Sequence, residues 1–233
     1  MNAHSHDKRP GALTDITSEK PTTITEQHII DWFHQLYYLR RKQTWENTYW
    51  LGLPLLKCPL DLWVYQEIIY DIKPDIIIET GTHWGSSALY YAVLCDIINR
   101  GQIITIDVDK KERLVKHPRI TYLIGPSTSQ EIVNAVSEHC CGKKTVLVNL
   151  DSDHSKKHVL NEMNIYSKLV TIGSYLIVED TNVNGHPVEP QWGPGPMEAV
   201  EEFMKSNNSF IIDTSKEKFM MTQNPKGYLK RVK

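Results

Sequence analysis

The sequence lacks a strong charge of either sign, and it lacks a long apolar run. Its 26 Lys and Arg residues nearly balance 28 Asp and Glu residues, which leaves a formal charge of −2 over 233 residues. Such a surface offers no positive field to hold a polyphosphate backbone, so no nucleic acid partner is expected. No apolar stretch approaches the roughly 20 residues that cross a bilayer, and the first residues are polar rather than signal-like. These absences predict a cytoplasmic protein with no membrane partner.

The sequence also lacks the side-chain pairs that mark zinc sites and non-haem iron oxygenases. The four cysteines, Cys58, Cys95, Cys140 and Cys141, show no Cys-x-x-Cys spacing, and adjacent cysteines rarely bridge, so we expect reduced thiols. None of the ten histidines is followed two places later by Asp or Glu, the pair that most often begins a facial iron triad. An oxygenase is therefore disfavoured.

Residues 75–87, Asp-Ile-Ile-Ile-Glu-Thr-Gly-Thr-His-Trp-Gly-Ser-Ser, form the most informative stretch. Three consecutive isoleucines predict a strand buried on both faces of a parallel sheet. Gly81 and Gly85 permit a tight turn that approaches a ligand closely, and Ser86 or Ser87 is a candidate cap for the next helix. The spacing Glu-x-Gly-x-x-x-Gly departs from the dinucleotide Gly-x-Gly-x-x-Gly and favours S-adenosylmethionine, although a purely structural turn fits this stretch equally well.

Beyond this turn, strand and helix signals alternate, which is typical of a parallel sheet with helices on both faces. Further strands are predicted at residues 103–106, 120–124, 145–150 and 174–178, with a closing pair at 210–214 and 219–222 and a solvated basic tail at 228–233. We therefore predict an α/β, Rossmann-like fold with a seven-stranded, mostly parallel sheet. Residues 1–24 are predicted to be a disordered tail, residues 25–73 an N-terminal helical extension and residues 74–233 the Rossmann-like domain.

The predicted extension is rich in aromatic residues. Apolar residues at helical spacing predict helices over residues 26–42 and 60–70. Between these helices lie Trp45, Tyr49 and Trp50. They either pack on the core, or form a subunit interface or one wall of a substrate pocket, since Trp and Tyr are enriched at such surfaces.

Residues at the carboxyl ends of the predicted strands form the expected cofactor site, because ligands of open α/β sheets bind at that edge. Asp107 ends the second strand and suits hydrogen bonding to a ribose diol. Ser127, Thr128 and Ser129 follow the third strand, where their hydroxyls either meet the adenosine or cap a helix from residue 130. The predicted S-adenosylmethionine site comprises Glu79, Thr80, Gly81, Gly85, Ser86, Asp107, Ser127 and Asp151.

Two neighbouring strands end in acidic residues. Asp151 follows the fourth strand, and Glu179 and Asp180 follow the fifth. Crowded carboxylates repel one another unless a cation lies between them, so these three acids predict a hard-cation site that suits Mg²⁺. Asp153 replaces Asp151 as a ligand if the fourth strand ends later. The alternative is a set of loop-end acids in water.

Seven short motifs point to a known family. They are Trp50-Leu51-Gly52, residues 57–63 (Lys-Cys-Pro-Leu-Asp-Leu-Trp), Tyr65-Gln66-Glu67, Glu79-Thr80-Gly81, residues 150–154 (Leu-Asp-Ser-Asp-His), residues 178–181 (Val-Glu-Asp-Thr) and residues 193–200 (Gly-Pro-Gly-Pro-Met-Glu-Ala-Val). Together they resemble the cephalosporin hydroxylase/rhamnosyl O-methyltransferase family. The resemblance implies a class I methyltransferase fold, S-adenosylmethionine, Mg²⁺ and a homo-oligomer, and it leaves the methyl acceptor open.

The spacing of the acids also resembles that of the catechol-type magnesium O-methyltransferases, which carry a lysine base three places after the first Asp. His154 stands at that position here, so it is the candidate general base, with Asp151 as the other candidate catalytic residue. A neutral imidazole accepts a proton directly, whereas a lysine must first be deprotonated. Alternatively, His154 caps a helix or supports its neighbours.

Residues 181–196 form a long loop at the same edge, rich in proline and glycine. Such loops often carry substrate specificity, so His154, His186 and Trp192 are predicted to contact the acceptor. The leading hypothesis is an S-adenosylmethionine- and Mg²⁺-dependent O-methyltransferase acting on a hydroxyl of a small molecule: a sugar, a polyketide or a β-lactam-type natural product. The alternative is a non-catalytic, cofactor-binding partner of an oxygenase.

Overall fold

The computed structural model describes residues 23–110 and 114–233. The tail predicted for residues 1–24 therefore lies almost entirely outside the described residues. Helix α1 (Glu26–Leu39) begins after Thr25, whose hydroxyl accepts the backbone N–H of His28. Single-turn helices follow at Arg41–Gln43 and Trp45–Asn47, and strands β1 (Tyr49–Trp50) and β2 (Leu53–Pro54) form a two-stranded antiparallel ribbon.

Helix α2 (Pro59–Ile72) leads the chain into the main sheet. Pro59 stands in its first turn, where a missing N–H breaks no helical hydrogen bond. Lys73 ends the helix in the left-handed conformation, with φ at +46°, and its N–H is donated to the carbonyl of Ile69. Pro74 follows and cannot continue the helix.

A seven-stranded sheet forms the centre of the molecule. Its strands are β3 (Ile76–Thr80), β4 (Gln102–Asp107), β5 (Ile120–Ile124), β6 (Val146–Leu150), β7 (Tyr175–Val178), β8 (Phe210–Ile212) and β9 (Tyr228–Arg231), in the spatial order β5-β4-β3-β6-β7-β9-β8. The pairs among β3 to β7 are parallel, and β9 is antiparallel to both β7 and β8. The chain turns from one side of β3 to the other after β5, and a ligand crevice is expected at the carboxyl ends there.

Helices cover both faces of this sheet. They are α2, α3 (Ser86–Ile97), α4 (Gln130–Cys140), α5 (Lys156–Tyr166) and α6 (Pro196–Ser206). Alternate strand residues point to opposite faces, so Ile77 packs with Ile68 and Tyr91 of α2 and α3, whereas Ile76 and Ile78 pack with α4, α5 and α6. Burial on both sides explains the three isoleucines of β3. The predicted α/β fold is confirmed.

The last strand lies elsewhere than the sequence indicates. The predicted strand at residues 219–222 is wrong, because that segment is irregular and Met220 has φ at +67°. The solvated tail predicted for residues 228–233 is also wrong. Tyr228 and Leu229 are fully buried, and β9 pairs with β7 and β8. A four-residue strand with two charged residues carries little local signal, and its pairing partners decide its conformation.

Helix starts divide between confirmed and corrected predictions. Ser129 accepts the N–H of Ile132 and caps α4 as predicted. The predicted serine cap of α3 is wrong: Gly85 precedes the helix with φ at +78°, no side chain caps it, and Ser86 and Ser87 are buried.

The four cysteines are free thiols, as predicted. In the described part of the chain, no helix is long and apolar enough to cross a membrane.

Candidate active site

A cavity of about 740 Å³ opens at the carboxyl edge of the sheet. Its walls come from the loops that follow β3 to β7 and from the N-terminal extension. Eight of the residues predicted from the sequence line it: Gly81, Ser86, Asp107, Ser127, Asp151, His154, Asp180 and Trp192. A volume of this size is within the usual range of small-molecule sites.

Gly81 lies where the loops after β3 and β6 meet. Its φ is +86°, and a Cβ at this position would lie 1.8 Å from the backbone oxygen of Asp151. The N–H of Asp151 is donated to the carbonyl of Thr80, which ties the same two loops together. Only glycine permits this contact, so Gly81 is required to bring Asp151 to the cavity.

Asp107 is held at the cavity wall by two backbone donors. Its Oδ2 accepts the N–H of His83 and its Oδ1 accepts the N–H of Asp109, each at 2.9 Å. Each carboxylate oxygen has a second lone pair, so the fixed carboxylate can still accept hydrogen bonds from a ligand hydroxyl. This geometry suits the ribose contact that the sequence predicts.

Three predicted cofactor residues do not line the cavity. Glu79 is fully buried, accepts a hydrogen bond from the Thr105 hydroxyl at 2.7 Å, and burial raises its pKa to about 7. Thr80 is also fully buried, with its hydroxyl 3.3 Å from Glu162 Oε2. Gly85 lies against the Tyr122 hydroxyl, 2.8 Å from where a Cβ would be. These residues support the wall from behind.

A buried lysine that is not among the predicted site residues joins the acidic residues. Lys57 Nζ lies 2.8 Å from Asp151 Oδ2 and 2.6 Å from Glu179 Oε1, and the side chain is 4% exposed. Burial alone lowers the pKa of this ammonium, but Asp151 and Glu179 outweigh burial and hold the pKa well above its ordinary value. Two features of the sequence mark Lys57: it follows an apolar segment, and it opens the motif at residues 57–63.

Asp151, His154 and Asp180 form a compact cluster at the cavity. One potential ligand atom from each lies within 4.8 Å of the others, and His154 Nε2 is 3.3 Å from Asp180 Oδ2. The residues meet because β6 and β7 are adjacent parallel strands that end at the same edge. Burial is the main cause that raises the pKa values of both carboxyl groups, and repulsion from neighbouring carboxylates adds to it. The carboxylate oxygens of Asp151 and Asp180 fit a hard divalent ion.

The other two candidate ligands have different partners. Glu179 Oε1 accepts hydrogen bonds from Lys57 and from Asn149, the latter at 2.5 Å, and Glu179 is not part of the compact cluster. Its predicted role as a metal ligand stays a prediction. Asp153 Oδ1 accepts the N–H of Ser155 at 2.7 Å, which holds it at the start of α5. The geometry favours Asp151 over Asp153.

Aromatic side chains line the cavity near this cluster. Trp192 donates its Nε1 hydrogen to the carbonyl of His154 at 3.3 Å and is half exposed. Tyr38 and Trp45 of the N-terminal extension line the cavity, together with Trp84. His186, predicted to contact the acceptor, does not line the cavity, and its Nε2 lies 2.8 Å from Glu198 Oε1 instead.

Comparison with known proteins gives the family. The family model described as Rhamnosyl O-methyltransferase/CmcI matches residues 42–232. The chain belongs to this family. Proteins named rhamnosyl O-methyltransferase are 36% identical to it: that of Mycobacterium leprae over 211 residues, 87% of this chain and 90% of that protein, and that of Mycobacterium bovis over 208 residues, 85% of this chain and 83% of that protein. The predicted O-methyltransferase assignment is confirmed.

Solved structures agree with the fold. One described as "cmcI-D160 Mg-SAM" matches with a TM-score of 0.63 at 23% identity, covering 81% of this chain and 78% of that one. An apo CmcI structure also matches with a TM-score of 0.63, at 22% identity and 97% and 90% coverage. The MycE methyltransferase, described as in complex with Mg and SAH, gives 0.50 at 17% identity over 73% of this chain and 44% of MycE.

Proposed function

We propose that this protein is an S-adenosylmethionine- and Mg²⁺-dependent O-methyltransferase whose acceptor is a hydroxyl of a sugar. The observation that carries the proposal is the cluster of Asp151, His154 and Asp180, which shares one cavity with Gly81 and Asp107. A cofactor turn and a hard-cation cluster on one wall are what metal-assisted methyl transfer requires. The related rhamnosyl O-methyltransferases support a sugar acceptor.

The cofactor would bind along the strand ends. Asp107 would accept hydrogen bonds from the ribose hydroxyls, and the turn at Gly81 would let the backbone approach the ligand closely. When bound, S-adenosylmethionine supplies the methyl group, and Mg²⁺ acidifies and orients an acceptor hydroxyl. Asp151 and Asp180 would hold the ion, and Lys57 fixes Asp151 from behind.

In this proposal His154 takes the acceptor proton. Burial alone lowers its pKa, but Asp180, Asp151 and Glu179 outweigh burial and raise the pKa above its ordinary value. A divalent cation among these carboxylates would offset the field that raises this pKa, and would so favour the neutral imidazole, the form that accepts a proton.

The acceptor wall suits a sugar ring. Tyr38, Trp45, Trp84 and Trp192 present flat apolar surfaces to the cavity, and Asp151 and Asp180 present oxygens. A sugar has apolar C–H faces and a rim of hydroxyls, so it can stack on aromatic rings while its hydroxyls meet the acids. This arrangement favours a glycosyl acceptor over one that is apolar throughout.

The test is methyl transfer from labelled S-adenosylmethionine to a panel of rhamnosides and other glycosides. We expect the wild-type protein to turn over at least one of these acceptors. Chelation or Asp180→Asn should abolish turnover, whereas S-adenosylmethionine should still bind, as measured by calorimetry. His154→Ala should lower kcat by roughly 10²- to 10⁴-fold, the usual contribution of a general base. The matched control is Asp153→Asn, a substitution at the neighbouring acid that holds the start of α5. The protein with this substitution should keep its affinity for Mg²⁺.

The outcomes separate the parts of the proposal. Full activity in excess chelator would contradict the metal role, and a wild-type kcat in His154→Ala would assign the proton to another group. Binding of the cofactor without transfer to any glycoside would rule out the sugar acceptor. Absence of cofactor binding would overturn the proposed function as a whole.

A further inference from the structure

The two acids that follow β7 both approach Asp151, although they are consecutive in the chain. Glu179 shares Lys57 with Asp151. Asp180 lies in the compact cluster with Asp151 and His154. Successive side chains of an extended strand point to opposite faces, so an unbroken strand would turn these two acids apart. The backbone therefore has to leave the extended conformation here.

The backbone of Asp180 makes this change. Its φ is +53°, in the left-handed region that residues other than glycine uncommonly adopt. Such a conformation persists where surrounding contacts hold it. The Asp180 carbonyl accepts the N–H of Val183 at 3.3 Å, which closes a turn and leaves the Asp180 N–H to a partner outside that turn. This partner therefore helps to set the direction of the Asp180 side chain.

The partner of the Asp180 N–H is Asn224, which is 1% exposed. Its Oδ1 accepts this N–H at 3.0 Å. Its Nδ2 donates to the Tyr65 hydroxyl of α2 at 2.7 Å, and its own backbone N–H is donated to Thr222 Oγ1 at 2.9 Å. Only the oxygen of a side-chain amide can accept a backbone N–H, so these bonds fix the side chain in one orientation.

The segment that carries Asn224 is itself anchored to α2. Asp61 of α2 is 3% exposed, and its Oδ2 accepts the N–H of Gln223 at 2.9 Å. The Gln223 carbonyl accepts the N–H of Asn182 at 3.2 Å, so the same segment also holds the loop beyond Asp180. Because it is anchored on both sides, Asn224 cannot follow a displaced Asp180.

We propose that Asn224 is a positioning residue of the metal site, which holds Asp180 in the left-handed conformation and so places its carboxylate beside Asp151. The inference rests on the proposed binding of Mg²⁺ by Asp151 and Asp180. Without the Asn224 acceptor, the Asp180 N–H loses its buried partner and the backbone is free to relax toward the extended form. The carboxylate would then turn away from Asp151. Asn224 does not line the cavity, so binding of the cofactor should not depend on it.

The test is calorimetric titration of Mg²⁺, and separately of S-adenosylhomocysteine, into the full chain. Asn224→Leu nearly keeps the shape of the side chain and removes the acceptor. It should weaken Mg²⁺ binding by roughly 10- to 100-fold, the usual effect of losing a hydrogen bond that orients a metal ligand, and leave S-adenosylhomocysteine binding unchanged. Asn224→Asp should retain Mg²⁺ binding, because its carboxylate still accepts the Asp180 N–H and the Tyr65 hydroxyl can donate to it.

The matched control is Thr181→Val. The Thr181 hydroxyl donates to the carbonyl of Pro225 at 2.6 Å, so this change removes a bond between the same two segments and leaves the Asp180 N–H with its partner. The affinity for Mg²⁺ should be that of the wild-type protein. An equal loss in Thr181→Val, or wild-type affinity in Asn224→Leu, would overturn the inference.

A second measurement uses the wild-type protein and decides the matter if Asn224→Leu does not fold. The Asp180 amide should be protected from hydrogen exchange, as followed by NMR, both with and without Mg²⁺, because Asn224 holds it in both states. An unprotected amide would overturn the inference alone. A wild-type protein that binds no Mg²⁺ would overturn the proposed function as well.

Discussion

At the residue scale, a single buried ammonium group holds two of the acidic side chains of the site. Lys57 contacts both Asp151 and Glu179, and all three side chains are largely removed from solvent. Removing two carboxylates from water costs several kcal/mol, and close pairing with a cation offsets that cost. Lys57 therefore favours the charged form of Asp151 and holds its Oδ2 in position.

We expect Lys57→Met, which preserves length and removes the charge, to lower the free energy of unfolding by about 3–5 kcal/mol, the usual cost of breaking a buried ion pair. Urea denaturation at neutral pH measures the change. Lys143→Met, at an exposed position, is the control and should change stability by less than about 0.5 kcal/mol. A loss in Lys57→Met as small as that of the control would show that the buried pair is not stabilising.

Asp107 stays a predicted ligand of the cofactor ribose. Asp107→Ala should weaken S-adenosylmethionine binding by roughly 1–3 kcal/mol, because buried ribose hydroxyls lose their acceptor. Calorimetry measures the affinity, and thermal unfolding checks that the loops fixed by Asp107 remain folded. Unchanged affinity in a folded variant would remove Asp107 from the site.

At the scale of elements, one carboxylate on α6 holds the loop that follows β7. Glu198 Oε1 accepts from Asn184 at 2.9 Å and pairs with His186 at 2.8 Å, while its Oε2 accepts the N–H of Gly195 at 2.6 Å. Burial alone raises the pKa of Glu198, but these hydrogen bonds outweigh it and lower the pKa to about 2. His186 thus shapes the loop that carries Trp192.

Because the pKa of Glu198 is lowered in the folded protein, the free energy of unfolding depends on pH. Because its ordinary value is near 4.5, the stabilisation is present above about pH 4.5 and is lost as pH falls toward 2. Glu198→Gln should lower the free energy of unfolding at pH 7 by about 1–3 kcal/mol, with the difference from wild type shrinking between pH 4.5 and pH 2. Urea denaturation across this range measures it, with exposed Glu138→Gln as control. A difference that stays constant with pH would contradict this account.

At the scale of the whole molecule, α1 joins the N-terminal extension to the active-site loop. His34 Nε2 lies 3.0 Å from Asn182 Nδ2, both side chains are buried, and burial lowers the pKa of His34 to about 4. Gln35 donates to the carbonyl of Pro187 at 3.2 Å.

Three apolar side chains of helix α1, Ile29, Phe33 and Leu39, are more than half exposed in the single chain. The predicted homo-oligomer stays a prediction that this apolar surface supports.

We expect light scattering of the full chain to give a mass above that of one subunit, and the double substitution Ile29→Ser and Phe33→Ser to lower it. The same change at exposed Ile97 on α3 is the control and should leave the mass unchanged. A monomeric wild-type protein, or a double variant with the wild-type mass, would contradict a subunit interface at α1.

The sequence by itself determined the alternating strands and helices, the acids at the strand ends and the family. Those features are local: a run of isoleucines, a glycine turn or a strand-end acid is recognisable within a few residues. Strand β9 escaped recognition because Tyr228 to Arg231 become a strand only through pairing with β7 and β8.

Only the tertiary structure decided how the site is completed. Lys57 stands 94 residues before Asp151 and reaches it because the chain between β2 and α2 folds over the carboxyl edge of the sheet. Glu162 likewise reaches Thr80 and Ser127 from α5, and Glu79 lies behind the wall. Electrostatic and hydrogen-bond contacts act over a few ångströms, so partners far apart in the chain are fixed only when packing sets their separation.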